Sequence, residues 1–144
     1  MQITNRPRND TNARIPLILA IDDERDCADL IELILTKQHY LVEKVYNAQE
    51  ALDYLSESKV LPDLILLDIK MPGKDGFTLC HELKKDPKYH DIPIIILSAL
   101  TFPEDIEKGL ACGVKDYILK PWSNEDLIRR INKHLPPRKA YAPS

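Results

Sequence analysis

The sequence contains little glycine and little cysteine, and each shortage excludes a class of function. Residues 64–68 (LILLD) resemble the Walker B strand of a nucleotide hydrolase, but the four glycines form no GxxxxGK[ST] phosphate-binding loop. Cys27, Cys80 and Cys112 are far apart and show no CxxC or Cys/His ligand spacing, so we predict no zinc site. We interpret the three cysteines as small buried hydrophobic residues of a reducing cytosol.

Long apolar stretches and runs of one charge sign are also missing. No segment approaches the ~20 apolar residues of a transmembrane helix, and the polar N-terminus MQITNRPRNDTNAR is not a signal peptide. The formal net charge of −3 argues against nucleic acid as the main partner. With 144 residues, 44% of them hydrophobic and 30% charged, we expect one soluble domain in the cytoplasm.

Short apolar runs predict the strands of a parallel sheet. Four of them, residues 17–21, 64–67, 94–97 and 117–119, do not alternate with polar residues, as expected for strands covered on both faces. A fifth run, residues 40–46 (YLVEKVY), is more polar and suits the edge of the sheet.

Helical patterns lie between these runs. They are an apolar stripe of Leu30, Ile31, Ile34 and Leu35; a helix capped by Asn47 with Glu50 in a capping box; residues 76–85, with Phe77, Cys80 and Leu83 inward; residues 103–112, ended by Gly113; and a helix starting at Ser123, with Leu127, Ile128, Ile131 and Leu135 on one face. Strand and helix alternate five times, which predicts a doubly wound α/β sandwich over residues 15–135. We expect residues 1–14 to be a flexible extension and residues 136–144 a tail or the start of a linker.

The carboxyl ends of the predicted strands carry the polar residues that could perform chemistry. Asp22 and Asp23 follow the first strand, and Asp68, Ser98 and Lys120 end the third, fourth and fifth. Singly, each has an ordinary explanation: a helix cap for Asp22 or Asp23, a turn hydroxyl for Ser98, a solvated charge for Lys120. Ligands of open α/β sheets bind at this edge, so the convergence of all five predicts a site.

Three clustered carboxylates need a cation. Two unit charges ~4 Å apart repel by ~4 kcal/mol at an effective dielectric constant of ~20. Mg²⁺ prefers such hard oxygen ligands and would also neutralise an incoming phosphoryl group. Asp68 could then attack phosphorus as a nucleophile, while Lys120 and Ser98 hold phosphoryl oxygens.

The chain resembles the receiver domains of two-component response regulators from Pro16 to Leu135. The motifs that carry the resemblance are Asp22-Asp23, LILLD ending at Asp68, Met71-Pro72-Gly73-Lys74-Asp75-Gly76, Ser98-Ala99 and Tyr117-Ile118-Leu119-Lys120-Pro121. In this order and spacing they are highly specific. The resemblance implies a flavodoxin-like (βα)5 fold with strand order 2-1-3-4-5.

The resemblance also implies a role for each site residue. Asp68 would be the phosphoacceptor, phosphorylated by a histidine kinase or a histidine phosphotransfer protein. Mg²⁺ would be bound directly by side-chain oxygens of Asp23 and Asp68, by Asp22 through water, and by the backbone carbonyl of Lys70. The chain would thus be a phosphorylation-dependent signalling switch rather than an enzyme acting on external substrates.

The remaining family positions concern the response to phosphorylation. Ser98 and Lys120 would contact the phosphoryl group, Lys120–Pro121 would be a cis peptide bond, and Ser98 and Tyr117 would form the switch. Ser98 would move towards the phosphate and vacate space into which Tyr117 turns. On its own, Tyr117 has another explanation, an aromatic at the edge of the core with a hydrated hydroxyl. The output surface would be formed by the fourth helix, fifth strand and fifth helix.

By the same resemblance, two positions would flank the path of a hydrolytic water. Lys70 and Leu100 stand two residues after Asp68 and Ser98, and a long cation and a bulky apolar group there predict slow self-dephosphorylation.

Two rival functions compete with a phosphorylation-dependent switch. Haloacid-dehalogenase-type phosphatases need a second aspartate two residues after the nucleophile, where this chain has Lys70, and the four histidines do not cluster. The alternative function is a receiver-like interaction module that is never phosphorylated.

A homodimer could be supported by charged residues on the fourth helix, the fifth strand and the last helix, namely Asp116, Glu107, Lys108, Arg129 and Arg130. Solvated charges on a monomer explain these residues almost as well. The sequence does not identify the downstream effector.

Overall fold

The computed structural model describes residues 15–71, 75–99 and 102–135. Five strands alternate with five helices. The strands are β1 (Leu17–Ile21), β2 (Leu41–Val45), β3 (Leu64–Leu67), β4 (Ile94–Ser98) and β5 (Asp116–Leu119). The helices are α1 (Arg25–Thr36), α2 (Ala48–Glu57), α3 (Gly76–Lys85), α4 (Pro103–Ala111) and α5 (Asn124–His134).

The strands form one parallel sheet in the order β2-β1-β3-β4-β5, as predicted. All residues of β1, β3 and β4 are buried, whereas β2 is mostly half-buried at one edge. Three of the four apolar runs without alternation are therefore the central strands, which are covered on both faces, and the more polar run is an edge. The fourth run, residues 117–119, lies in β5 at the other edge of the sheet, where Leu119 is 40% exposed, so full coverage was wrong for it.

Helices cover both faces of the sheet and create two apolar cores. One core takes side chains from α2 and α3, with Ile106 of α4 packed against it. The other takes side chains from α1 and α5. Alternate residues of β1 enter the two cores: Leu19 and Ile21 face the first, and Ile18 and Ala20 the second. Each large side chain buried in this way stabilises the fold by roughly 1.5–3 kcal/mol.

The predicted capping residues lie at the ends of the helices. Asn47 Oδ1 accepts a hydrogen bond from the backbone N–H of Glu50 (2.8 Å), and Glu50 in return accepts from the backbone N–H of Tyr46. The predicted box is therefore present, with its return bond one residue earlier than expected. Gly113 follows the C-cap of α4 with φ of 88°, a backbone conformation in which glycine meets no steric penalty.

One helical prediction is wrong in part. Leu30 was placed on the inward stripe of α1, but it is 45% exposed; Ala28 is buried instead, with Ile31, Ile34 and Leu35. At 3.6 residues per turn, Leu30 lies about 100° around the helix from Ile31 and therefore falls outside the buried stripe.

Several predictions concern residues outside the described ranges. The flexible ends at 1–14 and 136–144, Leu100, and Pro72-Gly73-Lys74 all lie there. Among the residues that the structure describes, none of the helices has the length and apolar character needed to cross a bilayer.

Candidate functional site

The polar residues at the strand ends are held by backbone hydrogen bonds that extend the sheet ladder. The Asp22 N–H donates to the Val45 carbonyl (3.1 Å), and the Asp68 N–H donates to the Ile21 carbonyl (2.9 Å). At the other side, the Lys120 N–H donates to the Ser98 carbonyl (2.9 Å). The geometry of the parallel sheet thus brings these side chains to one edge, as the sequence predicted.

Lys120 is the centre of the charge cluster at this edge. Its ammonium nitrogen lies 2.8 Å from Asp22 Oδ2 and 3.3 Å from Asp68 Oδ2, with Glu24 Oε1 at 3.4 Å. The side chains of Lys120, Asp22 and Asp68 are only 12%, 3% and 5% exposed, whereas that of Glu24 is 67% exposed. A solvated surface lysine, the ordinary explanation of Lys120, does not fit this burial.

The second oxygens of the two buried carboxylates are fixed by the backbone. Asp22 Oδ1 accepts from the Glu24 N–H (3.0 Å), and Asp68 Oδ1 accepts from the Lys70 N–H (3.1 Å). Asp22 is therefore not the N-cap of α1, which is Glu24; its side chain accepts from the Glu24 N–H and also binds Lys120. Because both oxygens of each carboxylate are engaged, the orientation of the pair towards the pocket is set before any ligand binds.

Burial and shared charge shift the ionisation of the cluster. Burial raises the pKa of Asp68 above its ordinary value; the charge of Lys120 opposes this shift and the charge of Asp22 adds to it. Burial alone would lower the pKa of Lys120, but the hydrogen bond with Asp22 and the charges of Asp68 and Asp22 outweigh it and raise that pKa. A single ammonium thus faces several carboxylates, and the negative charge is only partly compensated.

The donor set suits a hard divalent cation. Carboxylate oxygens of Asp22, Glu24 and Asp68 all lie within 4.8 Å of one another, a group that could hold a metal ion. Oxygen-only ligands in a site that is open to water on one side fit Mg²⁺. Asp23 is exposed and does not belong to this group in the structure. Direct binding of a metal by Asp23 and by the Lys70 carbonyl stays a prediction.

Ser98 and Tyr117 are joined beside the charge cluster. Ser98 is fully buried at the end of β4, and the Tyr117 side chain is buried with its hydroxyl hydrogen-bonded to Ser98. Burial raises the pKa of Tyr117, and the bond to Ser98 opposes that shift. The hydroxyl is thus not simply hydrated at the edge of the core. The Tyr117 ring is already buried in this structure. The family resemblance implied instead that the ring would turn inward on phosphorylation.

Two backbone features shape the surroundings of the pocket. The Lys120–Pro121 peptide bond is cis. At the start of α3, a Cβ on Gly76 would lie 2.6 Å from the Cα of Ile69 and 2.7 Å from the carbonyl oxygen of Asp68. Only glycine permits this close approach, which explains physically why the loop after Asp68 ends in Gly76.

Two pocket residues were missed by the sequence reasoning. Glu24 joins the carboxylate group and contacts Lys120. The Cys27 thiol is hydrogen-bonded to Asp22 and Lys120. Mainly because it is buried, its pKa is raised to about 12. Cys27 lies one helical turn after Asp23, so α1 periodicity could have placed it near the strand end. Lys70, by contrast, has an exposed side chain.

Comparison with known proteins identifies the family. The family model described as the response regulator receiver domain matches residues 18–132. The chain is 37% identical to the signal receiver domain of a signal transduction histidine kinase from Syntrophus aciditrophicus, with a TM-score of 0.77 over 83% of this chain and 89% of that chain.

Two further structures are similar over nearly their whole length. A putative response regulator from Chloroflexus aurantiacus is 31% identical, with a TM-score of 0.78 over 83% of this chain and 97% of that chain. The Vibrio cholerae chemotaxis protein CheY4 is 28% identical, with a TM-score of 0.77 over 84% of this chain and 99% of that chain. The chain therefore belongs to the receiver-domain family of response regulators, the phosphorelay modules of two-component systems.

Proposed function

We propose that this chain is a signalling switch that accepts a phosphoryl group on Asp68 from a phosphohistidine of a kinase or phosphotransfer protein. The observation that carries the proposal is the contact of one buried lysine, Lys120, with the buried carboxylates of Asp22 and Asp68. A buried cluster of charges is often no more stabilising than apolar packing, so its presence at the carboxyl ends of parallel strands favours a functional role.

The transfer would be a displacement at phosphorus. An oxygen of Asp68 forms the new P–O bond while the P–N bond to the donor histidine breaks, and the imidazole leaves with the electron pair. Lys120, already 3.3 Å from Asp68, would contact a phosphoryl oxygen, as would the Ser98 hydroxyl. Bound Mg²⁺ would neutralise phosphoryl charge; we assign Asp22, Asp23, Asp68 and the Lys70 carbonyl as the residues that hold it.

The response would run through Ser98 and Tyr117. A phosphoryl group brings a charge of about −1.5 to −2 to Asp68 and would draw the Ser98 hydroxyl away from Tyr117. Moving a two-state equilibrium from 1:99 to 99:1 needs ~5.5 kcal/mol, which a few charge-assisted hydrogen bonds of roughly 1.5–3 kcal/mol could supply. The surface formed by α4, β5 and α5 would relay the change to a partner.

Catalysis would be confined to the chain itself. We propose that it promotes its own phosphoryl transfer and a slow self-dephosphorylation, and acts on no external substrate. Lys70 and Leu100 would slow this hydrolysis. Of these two residues, the structure describes Lys70, whose side chain is exposed. A cytoplasmic location fits a partner kinase whose phosphohistidine faces the cytosol.

A homodimer through the α4-β5-α5 surface is part of the proposal and would require charge pairs to rearrange. Within the chain, Arg130 contacts Asp116 at 2.7 Å and Asp126 at 3.0 Å, and Arg129 contacts Asp126. The same pairs could form between two copies in place of those within one chain. Sedimentation with and without beryllofluoride, a phosphoryl mimic, would detect the exchange as a doubling of mass.

Titration with beryllofluoride and Mg²⁺ tests the proposal. Trp122 follows the cis peptide of Lys120 and packs partly buried against the α1–α5 core, so its fluorescence should report changes in the pocket. We expect a saturable change that requires Mg²⁺ and disappears in Asp68→Ala. No change in the wild type would favour the alternative function, an interaction module that is never phosphorylated.

A further inference from the structure

Gly109 lies in the middle of α4, where a helix ordinarily favours alanine over glycine. It is the buried residue of that helix, and its backbone approaches the Tyr117 ring. A Cβ placed on Gly109 would lie 3.1 Å from Tyr117 Cδ2 and 3.2 Å from Tyr117 Cε2. It would also lie 2.7 Å from Cδ1 of Ile96. The glycine therefore makes room for the inward ring of Tyr117.

The two neighbours of Gly109 differ in their freedom to move. Cδ1 of Ile96 is the far end of a flexible side chain, so a small shift of this atom costs little even in the buried core. The Tyr117 ring is buried and its hydroxyl is bonded to Ser98, so the ring cannot yield without straining or breaking that bond. Anything that fills the space at Gly109 is thus transmitted through the ring to Ser98.

We propose that Gly109 sets the balance of the Ser98–Tyr117 pair and is the contact through which α4 responds to it. The inference rests on the proposed function in taking Ser98 as a phosphoryl contact. A residue without a side chain at 109 stabilises the inward ring and keeps the Ser98 hydroxyl on Tyr117. When Ser98 leaves for a phosphoryl group, the ring loses its tether and the packing of α4 against β4 and β5 changes at Gly109.

Gly109→Ala tests this with two readouts. The first is the ¹⁹F NMR signal of Tyr117 in protein labelled with 3-fluorotyrosine, assigned among the six tyrosines by Tyr117→Phe. The second is the beryllofluoride concentration that half-saturates the protein in Mg²⁺. Leu110→Ala is the matched control, because Leu110 is on the same helix and 51% exposed.

In Gly109→Ala we expect the Tyr117 signal to shift without any phosphoryl mimic. The half-saturating concentration should fall by at least about twofold, since Ser98 is already partly released from Tyr117. Leu110→Ala should change neither readout. In a Tyr117→Phe background, which lacks the hydroxyl bond, Gly109→Ala should no longer lower the half-saturating concentration.

The inference is overturned if Gly109→Ala folds and leaves the Tyr117 signal in place, or if the half-saturating concentration is unchanged or higher. If the wild type does not bind beryllofluoride at all, the proposed function fails, and the Tyr117 signal alone decides on the contact. If Gly109→Ala does not fold, Gly109→Ala combined with Tyr117→Ala should, because the ring is then absent. Failure of that double variant as well would contradict the contact.

Discussion

The ammonium nitrogen of Lys120 lies 3.3 Å from Oδ2 of Asp68, although the two residues are 52 positions apart in the sequence. β5 and β3 do not pair with each other; β4 lies between them, and the contact forms across it beyond the strand ends. The lysine reaches across the sheet edge to a carboxylate whose pKa is raised by burial, and its charge opposes that shift. This contact is the basis for the predictions on stability and on phosphorylation.

Replacing Lys120 by methionine should destabilise the fold. Removing one partner of a buried ion pair costs ~3–5 kcal/mol. Because Glu24, at the side of this cluster, is exposed to solvent, we expect a smaller loss of about 2 kcal/mol. Urea unfolding measures the change, and Mg²⁺ should restore part of the loss because it compensates the same carboxylates. Lys115→Met, at an exposed lysine, is the control. Equal midpoints for both variants would show that Lys120 does not neutralise the cluster.

Asp68→Asn should have the opposite effect at neutral pH. The pKa of Asp68 is raised, so the stability contributed by its protonated form is present below the unfolded pKa of about 3.8 and is lost as the pH rises through the higher folded pKa. At pH 7 the buried charge therefore costs stability, and asparagine removes that cost. We expect a gain in stability at pH 7 that vanishes towards pH 3.

Thermal unfolding from pH 3 to pH 8 measures the effect of Asp68→Asn, with Asp91→Asn at an exposed aspartate as the control. A variant that is less stable than the wild type at pH 7 would mean that ion pairing with Lys120 outweighs burial.

Paired substitutions should identify the carboxylates that bind Mg²⁺. Glu24 is engaged by Lys120, whereas Asp23 points to solvent and is free to take up a hydrated cation. We expect Asp23→Asn to weaken Mg²⁺ binding at least about tenfold and Glu24→Gln to weaken it less, since loss of a direct charged ligand exceeds loss of a neighbouring charge. Quenching of Trp122 fluorescence by Mg²⁺ gives both affinities. The reverse order would assign the metal to the group Asp22, Glu24 and Asp68.

The phosphorylated protein should lose its phosphoryl group slowly. Lys70 and Leu100 are expected to obstruct the water that attacks phosphorus in line, so the phosphate should persist far beyond seconds after the donor is removed. Replacing both residues by asparagine should accelerate the loss, while Lys88→Asn, an exposed lysine after α3, should not. Decay within seconds in the wild type would refute the obstruction.

Sequence patterns predicted the sheet and the site because both follow from local rules. Central strands gave uninterrupted apolar runs, and parallel topology alone then placed Asp22, Asp68, Ser98 and Lys120 at one edge. Side-chain contacts that depend on helix phase were harder to predict. Leu30 faces solvent because it lies about 100° around α1 from the buried Ile31, and the positions of Glu24 and Cys27 likewise depend on how α1 is rotated against the sheet.

The inward Tyr117 could not be predicted either. Its position depends on the space left by Gly109 and on a hydroxyl bond to Ser98, and neither is encoded by spacing along the chain. Such three-residue packing relations need the distances between α4, β4 and β5, which only the folded structure supplies.

Incubation with acetyl phosphate and Mg²⁺, followed by intact-mass measurement and borohydride reduction, tests the central claim most directly. The account predicts one phosphoryl group per chain, added only when Mg²⁺ is present. Borohydride should then convert residue 68 alone into homoserine. Asp68→Asn should gain no phosphoryl group and yield no homoserine. Absence of a phosphoryl adduct in the wild type, or an adduct that maps to another residue, would contradict the role of Asp68 as the phosphoacceptor.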